Sequence, residues 1–89
     1  MARDGLDWPE WWDWELDCSL SHLGDRMHDR GFTEAELREM LELATDVFPD
    51  YEPGRWAVRT TLNRTPWIVI VEPESAAHRL VVITAFKDT

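Results

Sequence analysis

Apolar and polar positions change period several times along the chain, and each change predicts a different element. From Trp12 to Asp17 the alternation is strict, with Trp12, Trp14 and Leu16 on one side and Asp13, Glu15 and Asp17 on the other. Period two is a half-buried strand, and the charged side places it at a sheet edge. Leu20, Leu23 and Met27 then recur at helical spacing. Ser19 or Ser21 is the expected cap of this helix and Gly31 its left-handed stop. Thr33-Glu-Ala-Glu36 is a capping box that opens a second helix. Leu37, Met40, Leu41, Ala44 and Phe48 form its dry side, Glu34, Glu36, Glu39 and Glu42 its wet side, and Pro49 ends it. Pro49-Asp-Tyr-Glu-Pro-Gly54 reads as a loop.

The remainder alternates again. Arg55–Leu62 sets Trp56, Val58 and Leu62 against Arg55, Arg59 and Thr61. Asn63-Arg-Thr65 fits a three-residue hairpin turn. Trp67–Val71 is apolar on both faces and reads as a central strand. Pro73–His78 is a second turn region, and Leu80–Phe86 a last strand. The expected order is β-α-α-β-β-β, an α+β domain with two helices packed on one face of a small antiparallel sheet. Residues 1–11 read as an acidic, Trp-rich tail, and 12–89 as the single domain.

Eighty-nine residues with 44% apolar and 11% aromatic content make a globular chain. No apolar run approaches the ~20 residues that cross a bilayer. The acidic start has no basic stretch leading into an apolar one, so no secretory signal is expected and a cytoplasmic location is. Cys18 is the one cysteine, with no zinc-type spacing around it. The net charge of −9 is uneven: six acids against Arg3 give residues 1–18 a charge of −5, leaving −4 on the other 71. Such acidity opposes broad attraction to nucleic acid but leaves room for a small basic pocket.

The candidate chemistry lies on the first helix. His22, Arg26 and Arg30 stand four apart and form one row. Imidazole moves protons near neutral pH, and guanidinium holds phosphate. The pairing points to phosphodiester chemistry. Carboxylates at Asp25, Asp29, Glu34 and Glu36 offer the arginines ordinary ion pairs instead. The face carrying Arg55, Arg59 and Thr61 is either an RNA platform or a solvated surface. The tryptophans at 8, 11, 12 and 14 suit core packing or a protein contact. His28 and His78 read as surface residues, and no cofactor or metal site is expected.

The string His22-Leu-x-x-Arg-Met-x-x-Arg-Gly-Phe-Thr-Glu-x-x-Leu-Arg-x-Met-Leu41 resembles a widespread bacterial domain family of unknown function. So do Gly54-Arg-Trp, Pro66-Trp-x-Val-Ile-Val-Glu-Pro73 and Leu80-Val-Val-x-Thr-Ala85. The likeness covers about residues 12–86. That family is similar to the RelE/BrnT-like superfamily of small ribonucleases and toxins, which includes barnase-like and colicin-type nucleases. The resemblance implies metal-free RNA cleavage, with His22 as general acid or base, Arg26 and Arg59 holding phosphate, and Thr84 donating to a phosphate oxygen. From the helical row and the strand face themselves, Arg30 and Arg55 are expected to add phosphate contacts. The chain departs from the family pattern at Ile68, where an acid is usual, and at Phe86, where a tyrosine is. The implied partners are an RNA substrate and an inhibitor protein of antitoxin or immunity type. The other reading is a catalytically silent interaction module of the same fold. It would bind a partner or a second copy through the acidic, Trp-rich segment.

Overall fold

Gly31 and Thr33 set the joint between two helices. Gly31 holds a left-handed φ of 69° and sends its N–H to the Met27 carbonyl, a conformation that a side chain strains. Two residues on, Thr33 and Glu36 bond reciprocally as a capping box. The helices are α1 (Ser21–Arg30) and α2 (Glu34–Glu42). They belong to a computed structural model that describes residues 8–88. The strands are β1 (Glu15–Asp17), β2 (Asp46–Pro49), β3 (Trp56–Leu62), β4 (Thr65–Glu74) and β5 (Arg79–Lys87), and a 3-10 turn covers Glu10–Asp13.

The fold is α+β: two helices on a five-stranded sheet of order β1-β5-β4-β3-β2. The sheet is mixed rather than antiparallel, because β1 runs parallel to β5 with Leu16 opposite Leu80. The element order therefore differs from the expected one by the 3-10 turn and by β2. Helical spacing predicts that the second helix runs on through Phe48, but Asp46–Pro49 is a strand. Ala44 and Phe48 do stand four apart, but the intervening Thr45 and Val47 are β-branched. Pairing with β3 then satisfies the backbone there, with Val47 opposite Val58. Pro9 opens the 3-10 turn that takes Trp12 and Asp13 out of the expected strand. Neither serine caps α1. Leu20 holds that position without a side-chain bond, and the Ser19 hydroxyl and amide donate to Asp17 instead. The hairpin after β3 has two residues, not three, since Leu62 pairs with Thr65. Asn63 and Arg64 both hold positive φ, the requirement of a type I′ turn.

The core lies between sheet and helices. Leu23, Leu37, Met40, Val58, Val69, Val71 and Val82 are fully buried there, each contributing about 1.5–3 kcal/mol through lost apolar exposure. The Phe32 ring meets Trp67 edge-on at 5.4 Å. Thr60, the buried polar side chain of this core, donates its hydroxyl to the Met40 carbonyl and pins α2 to β3. Ala57, Ile68 and Ile70 form a smaller cluster with Phe48 and Ile83 on the other sheet face. Of the expected tail, residues 1–7 lie outside the described residues. Trp8 and Trp11 pack on the core: Trp8 meets Trp12 at 4.6 Å and Trp11 meets Trp56 at 5.7 Å.

The two sheet edges differ. At the β2 edge the Asp46 carboxylate accepts the Val47 N–H at 2.9 Å, and Pro49 has no N–H. At the other edge lies the three-residue β1. Among the described residues no helix is long and apolar enough to cross a membrane.

Candidate functional site

The helical row splits because four residues overshoot one turn. At about 100° per residue, Arg30 lies about 20° from Leu23 around α1, Arg26 about 60° and His22 about 100°. Leu23 is fully buried. The row therefore drifts from solvent towards the core, and the burial follows: His22 and Arg26 are exposed, Arg30 half-buried. Arg30 Nη1 donates to Thr84 Oγ1 at 2.7 Å and to the Ala85 carbonyl at 2.9 Å. Its guanidinium also sits 5.9 Å from the Phe86 ring centre.

That contact depends on a bulge in β5. Ile70 pairs with Thr84 but the next residue, Val71, pairs with Val82, so Ile83 is the extra residue. Directly opposed residues share a face. Thr84 therefore sides with Ile70, away from Val82 and Leu80, whereas uninterrupted alternation along Leu80–Phe86 predicts that it shares their face. β1 reaches only as far as Val81 along β5. Beyond it, Arg30 closes the edge.

The remaining expected phosphate ligands stand elsewhere. Arg59 lies on β3, opposite Ile68, which in turn opposes Phe86. Two strand spacings put it about 10 Å from β5. Its guanidinium turns further away, 5.1 Å from the Phe48 ring centre and 3.6 Å from the Asp46 carboxylate. Arg55 pairs with Glu72 at 3.3 Å. No family model, curated protein or solved structure matches this chain. Among the six expected residues, Arg30 and Thr84 are brought into contact. His22 and Arg26 lie further back on α1, His22 about 12 Å along the axis from Arg30, with no hydrogen bond or ion pair among the described residues. Arg55 and Arg59 are held apart by carboxylates.

Sequence reasoning missed the ground next to Arg30. Asp29, Trp67, Phe86 and Lys87 line a shallow depression of about 310 Å3 with it. Lys87 pairs with Trp67 across β4 and β5, a register that follows from the bulge and leaves no trace in local sequence. No group of three or more His, Cys, Asp or Glu among the described residues is arranged to hold a metal ion. Two titrating groups lie outside this region. Bonds from the Ser19 hydroxyl and amide hold the Asp17 carboxyl below its ordinary value, with help from Arg79. Burial, and then Glu34, push the Cys18 thiol up.

Proposed function

We propose that the chain is a metal-independent endoribonuclease domain of the RelE/BrnT-like kind, working along the seam between α1 and β5. The supporting observation is an exposed, unpaired His22 and Arg26 one turn apart on the helix whose end is fastened by Arg30 onto Thr84. Side chains four apart on a helix have Cβ atoms about 5–6 Å apart, close enough for one phosphodiester to meet both His22 and Arg26. In this reading a ribose 2′-hydroxyl gives its proton to the His22 imidazole as the O2′–P bond forms. Arg26 meets the charge on the phosphorane. The P–O5′ bond then breaks and the 5′-oxygen takes a proton from water while the His22 imidazolium returns its own to solvent, leaving a 2′,3′-cyclic phosphate and a 5′-hydroxyl. Arg30 and Thr84 act as the fixed end of the seam.

The test is cleavage of a labelled RNA in the presence of a chelator. His22→Ala is expected to lower the rate by ~10²–10⁴ and Arg26→Ala by ~10²–10³. Both side chains are exposed, so circular dichroism should not change. Equal rates for wild type and His22→Ala would end this reading.

The second reading is a catalytically silent interaction module. It is favoured by the ion pairs that occupy Arg55 and Arg59 and by a phenylalanine at position 86, which has no hydroxyl to give a proton. It predicts no cleavage by the wild type and a binding partner in place of a substrate.

A further inference from the structure

We infer that the outer edge of β1 is a docking strip for an extended basic peptide of a partner protein, which adds a sixth strand to the sheet. The inference is independent of RNA cleavage. β1 ends the sheet order. Its inner side pairs with β5 over Glu15, Leu16 and Asp17. Its outer side has no strand partner among the described residues. An unpaired strand edge offers main-chain donors and acceptors to any chain that reaches it.

A groove runs beside that edge. Residues 15–19 form one wall of a space of about 410 Å3, with Glu34 and Arg38 of α2 across from them. Through Leu16 and Arg38 it continues into a cleft of about 230 Å3 lined by Trp12, Trp14, Leu41 and Leu80. Trp12, 7% exposed, has an indole N–H with no acceptor among the described residues. Backbone edge and apolar slot thus lie side by side, the combination that strand addition uses: ladder bonds for affinity, side-chain slots for specificity.

Charge and face select the occupant. Asp13, Glu15, Asp17, Glu34 and Glu42 line the two spaces against Arg38 and Arg79. Both arginines are already engaged, Arg38 with Glu34 at 3.3 Å and Arg79 with Asp17 at 3.8 Å. Each arginine thus offsets one of these carboxylates, and five acids against two bases leave the strip acidic, a fit for a cationic strand. A second copy of this chain would bring the same carboxylates to the edge and be repelled. Leu16 faces the helices with Leu80, whereas Glu15 and Asp17 face the other way with Arg79 and Val81. Cross-strand neighbours share a face, so the peptide should alternate, with apolar residues over Leu16 and basic residues beside Glu15 and Asp17.

The probe is a synthetic heptapeptide of alternating lysine and valine, titrated into the full chain with backbone amide NMR. The control replaces valine by proline, which keeps the charge and removes alternate N–H donors. Expected are amide shifts confined to residues 12–19 and binding at least about tenfold weaker for the control, the loss of a few ladder bonds. Glu15→Lys, an exposed substitution, should weaken the valine peptide by about tenfold as well, and His22→Ala should leave it unchanged. Equal binding of both peptides, shifts centred elsewhere, or no binding at millimolar peptide would overturn the inference. So would a doubled mass of the free chain caused by pairing at this edge.

Discussion

Arg30 and Thr84, separated by 54 residues, are joined by a 2.7 Å hydrogen bond that fixes the end of α1 to the bulged part of β5. A second bond from the same nitrogen reaches the Ala85 carbonyl. One half-buried guanidinium thus closes the stretch of β5 edge that β1 is too short to cover.

Arg30→Ala should cost about 2–3 kcal/mol, as expected for hydrogen bonds from a charged donor. Thr84→Val should cost about 1 kcal/mol, since Arg30 keeps the Ala85 carbonyl. Urea denaturation measures both. A loss near zero for Arg30→Ala would mean that the contact is a surface accident.

Thr60 tests the join between α2 and β3. Its hydroxyl donates to the Met40 carbonyl, which also accepts from Leu43 N–H at 3.1 Å. Thr60→Val therefore leaves that carbonyl with one partner and should cost about 1 kcal/mol. Thr60→Ser keeps the bond but loses a buried methyl, which in an unrelaxed core also costs about 1 kcal/mol. Parallel denaturation curves separate polar from packing loss.

Asp17 makes a pH prediction with a definite sign. Its carboxyl is held below the ordinary value by Ser19 first, with Arg79 a lesser cause. A group depressed on folding stabilises above its unfolded pKa, and the contribution fades as pH falls through the folded value. The stability gap between wild type and Asp17→Asn should thus be present at neutral pH and close on acidification below about pH 4. A gap constant down to strong acid would contradict the assignment.

Cys18 should react slowly. Burial is the main cause that raises its thiol, followed by Glu34, and the thiolate is the reactive form. Reaction with a disulfide reagent should lag behind a free thiol at pH 8 and gain on raising the pH. Glu34→Gln should quicken it modestly.

The row on α1 shows what the sequence made legible and what it hid. Leu23 and Arg30 are seven residues apart, close to two helical turns, so the tucked position of Arg30 was readable from spacing alone. Treating His22, Arg26 and Arg30 as one exposed row overlooked the drift of 40° that about 100° per residue gives at each step of four. The capping box at Thr33 and the central place of β4 were equally readable, because each rests on local chemistry. Three features were not. The bulge at Ile83 adds a residue without changing the apolar pattern, so the face of Thr84 could not be inferred. β2 was hidden by a helical coincidence at Ala44 and Phe48, and only β3 gives those residues a reason to extend. The partners of Arg55 and Arg59 are Glu72 and Asp46, 17 and 13 positions away in sequence, brought near by strand register. Trp12 is buried in the core and Trp8, Trp11 and Trp14 pack against it, a placement that depends on the 3-10 turn after Pro9.

The unequal borders of the sheet have a consequence for self-propagation. Fibres built by edge stacking need each molecule to receive a neighbour on one side and present an open ladder on the other. Asp46 occupies the Val47 N–H and Pro49 supplies none, so Asp46–Pro49 acts as a terminator. Four residues on one margin thereby keep any growth at the other from becoming a chain reaction.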